Sequence, residues 1–519
     1  VNDVQHDLLT EPIFGIEGRD GRARVSLAGL LARLGRGEPT EMLALMPHQQ
    51  HPWHALLVQL AALVVARTGD SHTGEARLAR SESEWRDALR ALAGSAEAFA
   101  LVVPDLSKPA FMQPPVPEGS IAEWSPLASP DALDVLVTAK NHDVKMQRFR
   151  APAVEHWVYA LVSLQTSEGY SGKMNYGIAR MNGGLSSRPC ITAAPGVDLA
   201  LRFGRDVGVW LGERAALLRE REYDDRGLGL LWTASWDGGT SLAMSELDPF
   251  FIEICRRIRV ASEQGALVVR RTTSKAARIA AKELCGATGD VWTPLKTGDG
   301  AALTVSSDGF GYKKLSELFV GSDWRRSPAQ AVLPADGESP VLIARALVRG
   351  QGKTEGLHER VVPVPPGRRR FFATDAGRSA AGALAAARIE RVATMRNKVL
   401  KPALLAVAQG GPAKTNFDDR AADVHIAAFE RQVDALFFEA LFAALELDAA
   451  EATHAWDDTL LELARDVKQR AERALPLPVA RRQRALAAGD RAFYGAARNQ
   501  GFLRPEAEAR GESNESADN

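Results

Sequence analysis

Residues 349–356, RGQGKTEG, end in the Gly-Lys-Thr of a phosphate-binding loop. A Walker-type loop also needs a glycine at position 347, where the chain has Leu347, and a helix whose first amides complete the phosphate cradle. Here Gly356 and the run HERVVPVPPG follow, which read as a strand ending in a turn. Three chemistries stay open on these residues. One is a nucleotidase using Lys353 and Thr354. Another is a glycine-rich hairpin tip with a surface lysine. The third is a loop that meets an external polyanion, with Gly350, Gly352 and Gly356 allowing close backbone approach and Gln351, Lys353 and Thr354 supplying donors.

Other constellations are less complete. PHQQHPWH gathers His48, His51 and His54; three imidazoles suit zinc, but Pro52 disturbs helical geometry and no carboxylate is close in sequence, so helix-entry packing competes. KNHDVK holds His142 and Asp143, too few ligands for a metal nuclease, between Lys140 and Lys145; a solvated loop is the alternative. Glu451 and His454 form a single Glu-x-x-His, whereas a di-iron bundle requires two. No G-x-S-x-G elbow and no H-E-x-x-H occurs.

The richest segment is SEGYSGKMNYGIARMNGGLSSRPC, residues 167–190. Gly169, Gly172, Gly177, Gly183 and Gly184 make its backbone permissive. Lys173, Arg180 and Arg188 add charge, Tyr170 and Tyr176 flat faces, Asn175 and Asn182 paired donors and acceptors. That mixture suits backbone and groove contact with nucleic acid, or a glycine loop buried against its own domain. A second basic run, within 256–282, offers Arg256, Arg257, Arg270, Arg271, Lys275 and Arg278, a pattern that alone reads as a solvated face.

Elements must position these residues. The chain has 519 residues, 45% hydrophobic and 25% charged, ordinary values for a globular protein of two to four domains. Its three cysteines, Cys190, Cys255 and Cys285, have no CxxC spacing, which fits a reducing cytoplasm and argues against structural zinc. The N-terminal residues lack a signal-peptide pattern, and no uninterrupted apolar run reaches membrane-spanning length. The net charge of −1 confines any nucleic-acid contact to local patches or to partners.

The pattern predicts an α+β protein: a large mixed α/β N-terminal domain, 1–370, then a C-terminal four-helix bundle, 376–503, and a disordered acidic tail, 504–519. In the first part, HALLVQLAALVVART (54–68) reads as a buried helix, while LALRFGRDVGVWL (199–211) and PVLIARALV (340–348) read as β-rich. In the second, helices are expected at roughly 376–408, 418–447, 450–475 and 478–499. Their apolar stripes include Val392, Met395 and Val399, then Phe429 and Val433, then Leu460 and Val467, then Phe493.

Taken in order, LLTEPIFGI, FMQPP, VTAKNHDVK, NYGIARMNGGLSSRP, LDPFFIEICRRIR and GQGKTEGLHER resemble the CasA family, the large subunit of the type I-E CRISPR surveillance complex Cascade. The resemblance runs from the first residues into the helical C-terminus. It implies a cytoplasmic, non-enzymatic, cofactor-free subunit that reads the protospacer-adjacent motif of double-stranded DNA from the minor groove. It also implies promotion of strand opening and recruitment of a trans-acting helicase-nuclease. The implied partners are the other Cascade subunits, the guide RNA and the duplex target, with no membrane. By resemblance the glycine loop falls on Gly169, Tyr170, Ser171, Gly172 and Lys173, with Asn175 adjoining and Gly172 the backbone contact. The strand wedge falls on Gln351, Gly352, Lys353 and Thr354. Arg256, Arg257 and Lys275 are candidates for the family's lysine finger. Lys140, Asn141, His142 and Lys145 fall on the loop that approaches the guide RNA and the rest of the complex. The alternative is a metal- or nucleotide-dependent nucleic-acid enzyme.

Overall fold

The computed structural model describes residues 5–69, 78–136, 151–350, 353–475 and 479–503. They form two compact units, Val1–Phe310 with Ser322–Arg369, and Gly311–Gly321 with Arg370–Asn519. The architecture is α+β, as the sequence pattern implies.

The first unit is organised around the helix Gln50–Thr68, whose residues from His51 to Val65 are buried without a break. A helix apolar on every side must be enclosed, and Val154–Ser167 and Leu199–Glu220 pack against it. Aromatic rings fill the joints: Trp53 meets Tyr159 edge-on at 5.0 Å, and Trp210 meets Trp292 at 5.7 Å.

The segment 199–211 is a helix, not the β-rich run expected from its valines and phenylalanine. Asp198 caps it, accepting from the amides of Ala200 and Leu201. Phe203, Val207 and Trp210 are buried at helical spacing, while Gly204, Gly208 and Gly212 line a face with open space beside each Cα. The helical period and the cap outweigh local propensity here.

The strand expected at 340–348 is present as Val341–Gly350. It lies between Lys353–Pro363 and Cys190–Ala194 in an antiparallel three-stranded sheet. A cross-strand pair, Arg345 with Glu359, supports the hairpin at 2.9 Å. Residues Arg257–Glu263 and Ala266–Thr272 form a second hairpin, edged by Ser125–Leu127.

In the second unit four long helical rods assemble: Asp375 to Ala408, Asp423–Ala444, Ala449–Ala474 and Val479–Asn499. The first contains a π turn at Met395–Leu400, just before Pro402, which lacks an amide to continue the regular ladder. The interior holds Val392, Met395, Val399, Phe429, Val433, Leu460, Val467 and Phe493. The helix Tyr312–Phe319, inside the stretch expected in the first domain, packs in this unit. Asp434 accepts from the Tyr312 amide at 2.6 Å, and Tyr312 stacks on Phe437 with centroids 4.7 Å apart.

The three histidines at the entry of the central helix serve the core. His48 Nε2 lies 2.7 and 2.9 Å from the two Asp134 oxygens, and His54 Nε2 lies 2.8 Å from Asp206, which also accepts from Trp292. His51 sits edge-on to Trp292, and among the described residues neither ring nitrogen has a hydrogen-bond partner. Among the described residues no three His, Cys, Asp or Glu side chains are arranged to hold a metal ion.

Burial, and then the nearby Arg188, hold His51 well below its usual protonation range; burial, and then Arg202, bring His54 down to about 4. Both rings are therefore neutral in the folded state. Unfolded histidine titrates near 6.5, so stability present above that value is lost as pH falls toward about 4. Thermal melts should be flat above pH 7 and fall below 6.5, before carboxylates titrate. His51→Leu, which replaces an unpartnered polar ring by an apolar chain of similar volume, should flatten part of that fall. A variant with the parental pH profile would refute the neutral assignment.

Candidate nucleic-acid interface

The glycine segment leaves the buried helix Val154–Ser167 and returns to the strand Cys190–Ala194. Its neck is closed by the Glu168–Ser187 bridge, by the Arg188 amide donating to Ser167 O at 3.1 Å, and by the Ile178 amide donating to Glu168 O at 3.0 Å. Gly169 and Gly177 are required inside this neck. A Cβ on Gly177 would lie 2.5 Å from the Gly169 carbonyl carbon, and one on Gly169 would lie 2.4 Å from Gly184 O. Backbone stacks on backbone, with no room for any side chain.

Above the neck, the Ser171 amide donates to Asn175 O at 3.1 Å and the Asn175 amide donates to Gly172 O at 3.0 Å, making a tight turn. Gly172 stands at its top with φ of 122° and open space around its Cα. Lys173 is exposed and Tyr170 is 42% exposed. The turn is also anchored from the side: the Ser274 amide donates to Met174 O, and the Tyr176 hydroxyl donates to Lys275 O, at 3.1 and 3.0 Å.

Beneath the turn lies Glu168, 5% exposed, gripped by two arginines. Arg256 Nη2 is 2.7 Å from one carboxylate oxygen and Arg349 Nη1 is 2.7 Å from the other. Arg349 stands at the end of the strand Val341–Gly350, directly before the hairpin tip. Ser187 and Leu347 exchange two further bonds, of 2.8 and 2.9 Å. The glycine turn and the hairpin, separated by about 180 residues in the chain, are thus tied side by side through one carboxylate. Burial alone would raise the Glu168 carboxyl, but the fields of Arg256, Arg349 and Arg271 outweigh it, and it is held below the ordinary carboxylate value. Three guanidinium groups face this single carboxylate, which leaves positive potential under the turn.

The structure sorts the residues picked out by sequence into roles. Gly172, Lys173 and Lys275 are presented at or beside the turn, Lys275 on an exposed loop whose amide donates to Gly238 O. Ser171 and Asn175 belong to its frame: Ser171 Oγ accepts from Arg256, and Asn175 Oδ1 from Arg271, at 3.0 and 2.9 Å. Arg256 is 2% exposed and donates also to the carbonyls of Tyr176 and Gly169. Arg257 is 6% exposed, paired with Glu118 at 2.6 Å and set over Trp124. These two arginines build the platform and do not project from it. Nor is the basic run 256–282 a solvated face: Arg278 is buried too, donating to the carbonyls of Leu231, Ala234 and Ser235. Arg180 and Arg188 are likewise interior, Arg180 stacked on Phe251 at 4.0 Å and Arg188 paired with Asp290 at 2.6 Å.

Gln351 and Gly352 lie outside the described residues, as do Lys140, Asn141, His142, Asp143 and Lys145. Lys353 and Thr354 begin a strand, Gly350 pairing with Lys353 and Arg349 with Thr354. A strand after Gly-Lys-Thr leaves no helix N-terminus to cradle phosphate, so the nucleotidase reading of Lys353 and Thr354 fails on geometry. The register shifts beside Val348 and Arg349, where Gly356 takes φ of 140°. Glu451 and His454 are both exposed on one helix. Sequence reasoning missed Glu168 and Arg349. Their only trace is an acid just before one glycine-rich stretch and a base just before another, which carries no spacing signal.

Solved CRISPR-associated proteins share this fold. The particular matches are CasA of Thermus thermophilus, with a TM-score of 0.65 at 15% identity over 96% of this chain and 100% of that one, Cse1 of Acidimicrobium ferrooxidans, 0.59 at 16% over 97% and 100%, and Cse1 of Thermobifida fusca, 0.60 at 13% over 96% and 98%. No family model matches the sequence, and no curated protein does. The chain has the CasA/Cse1 fold along nearly its whole length.

Glu168→Gln keeps the shape of the linker but removes the charge that two buried guanidiniums share. Breaking such a pair costs on the order of 3–5 kcal/mol, so the urea midpoint should drop markedly. Because the folded carboxyl is held low, the difference between variant and parent should be full above about pH 5 and shrink as pH falls through the folded value. An unchanged midpoint at pH 7 would show that the carboxylate does not carry the junction.

Proposed function

We propose that this chain is the large subunit of a CRISPR RNA-guided surveillance complex, working without catalysis or cofactor in the cytoplasm. It reads the protospacer-adjacent motif in duplex DNA from the minor groove, helps to part the strands, and recruits a trans-acting helicase-nuclease. The observation that carries this reading is the Glu168 junction, which sets an open glycine turn beside the end of a β-hairpin on a protein of the CasA/Cse1 fold.

The physical division of labour follows. The minor groove is narrow and displays mainly acceptors plus the guanine amine, so a backbone carbonyl with no side chain around it is an apt reader. Gly172 offers main chain with open space where a side chain would stand, its carbonyl keeping one lone pair beyond the Asn175 amide it accepts, with Lys173 and Lys275 placed to meet flanking phosphates. Gln351, Gly352, Lys353 and Thr354 are the wedge, and Lys353 and Thr354 open the second strand of a hairpin braced by Arg349. Separating a base step costs a few kcal/mol, and a brace on a buried ion pair keeps the tip from yielding instead. Lys140, Asn141, His142 and Lys145 meet the guide RNA and neighbouring subunits. The near-neutral chain leaves most backbone binding to those partners.

The test is duplex binding by the assembled complex, with and without this chain, on targets carrying correct or scrambled adjacent motifs. Discrimination should vanish without the chain. Gly172→Asp should abolish it while assembly persists, and Lys275→Ala should weaken duplex binding several-fold. Replacing Gln351 and Lys353 by alanine should reduce R-loop yield more than assembly. Equal discrimination with and without the chain would overturn the reading.

A further inference from the structure

A cavity of about 270 Å³ lies where the strand pair Gln5–Asp7 and Ala100–Val102 meets the strand Arg257–Glu263. Val103, Pro104, Leu106 and Ile121 give it apolar walls. Arg259 lines it too and is 1% exposed. Its Nη2 donates to Val103 O at 2.8 Å and to Asp105 O at 3.1 Å. Nε and Nη1 are buried with no hydrogen-bond partner among the described residues. Burial, opposed in part by the field of Asp105, brings this guanidinium down to about 10, so it keeps its charge near neutral pH. The Asp105 carboxylate is engaged elsewhere, accepting from the amide and the hydroxyl of Ser107 at 3.0 and 2.6 Å.

Other arginines of the same hairpin are balanced: Arg257 is paired with Glu118 and Arg270 with Glu263, at 2.6 and 2.7 Å. Arg259 faces Arg270 directly across the ladder, where a like charge opposes it. A guanidinium taken out of water without a counter-charge is costly. An anion in the cavity would bring both the missing charge and strong acceptors for the unpaired nitrogens. Volume and walls narrow its kind. The space falls just below the roughly 300–1,000 Å³ of pockets for drug-sized ligands, so on the order of ten non-hydrogen atoms fit. One guanidinium balances one negative charge, and the walls suit a hydrocarbon body. A phosphate dianion would lie desolvated against Val103, Leu106 and Ile121. We propose that this cavity binds an aliphatic carboxylate, its charge met by Arg259 and its hydrocarbon part by Leu106 and Ile121. A free acid and the C-terminal carboxylate of a peptide ending in a branched residue share this chemistry. The site goes beyond the motif-reading role and uses no residue of the glycine turn or of the hairpin that carries the wedge.

The experiment titrates the full chain with isocaproate, its neutral amide and inorganic phosphate at matched ionic strength, read by calorimetry and by the shift in melting temperature. Isocaproate should bind saturably, with a Kd of about 1 mM or below, and the amide and phosphate at least tenfold more weakly. Arg259→Met, which removes the charge but keeps an unbranched chain, should abolish the ligand-induced shift. Ala261 lies two residues along the same strand and also lines the cavity. Ala261→Leu should weaken isocaproate at least tenfold by filling the space with Arg259 still in place, so the test stands even where the arginine variant folds poorly. A parallel arm compares the tripeptide Ala-Ala-Leu with its C-terminal amide. Tighter binding of the tripeptide than of isocaproate assigns the carboxylate to a chain end, the reverse order to a free acid, and either upholds the site. Gly172→Asp should bind isocaproate as the parent does, which separates failure here from failure of the motif reading. No saturable binding up to about 20 mM, an amide or phosphate that matches isocaproate, or a folded variant that binds it like the parent would each overturn the proposal.

Discussion

One buried carboxylate holds together what the rest of the interface depends on. Glu168 leaves the core helix as the first residue of the glycine segment and takes a guanidinium on each oxygen, one from the strand-entry residue Arg256 and one from the hairpin residue Arg349. An ion removed from water this completely is costly unless its partners are well placed. The cost makes the junction specific: any slippage of the hairpin relative to the turn would strand a charge. Side-chain hydroxyl and backbone bonds between Ser187 and Leu347 fix the same two elements in a second place, so relative rotation is blocked as well as translation.

The interior around this junction is unusually rich in arginine and tryptophan for a core. Arg180 lies on Phe251 and near Trp210, Arg188 near Trp292, and Arg278 near Trp236. A guanidinium satisfies carbonyls at its edge while its flat face packs on a ring, so one residue type closes both polar and apolar gaps between irregular loops. That suits a unit whose sheets, among the described residues, have two or three strands each and whose long connections must be pinned by side chains.

How much of this could be read beforehand follows from the range of the signals. The four rods and the buried helix 50–68 were legible because helical periodicity repeats within one segment, and the strand at 341–350 because a dense apolar run met turn residues on both sides. The helix at 199–220 carries valines and, at every fourth position, glycines that mimic strand composition, and only the cap on Asp198 marks its start. At the site, the glycine turn was visible as composition, but the meaning of its charges was not. Sequence counts a basic residue as surface until a distant acid claims it. Glu118, Glu168, Glu253 and Asp290 claim Arg257, Arg256, Arg180 and Arg188 across gaps that no local window spans.

The pairing of Gly169 against Gly177, main chain on main chain, has a consequence for how such a protein can change over time. The neck tolerates no substitution at either position, while Tyr170 and Lys173 are exposed. Variation is thereby channelled to the crown of the loop. The crown can change one residue at a time without disturbing the scaffold that presents it.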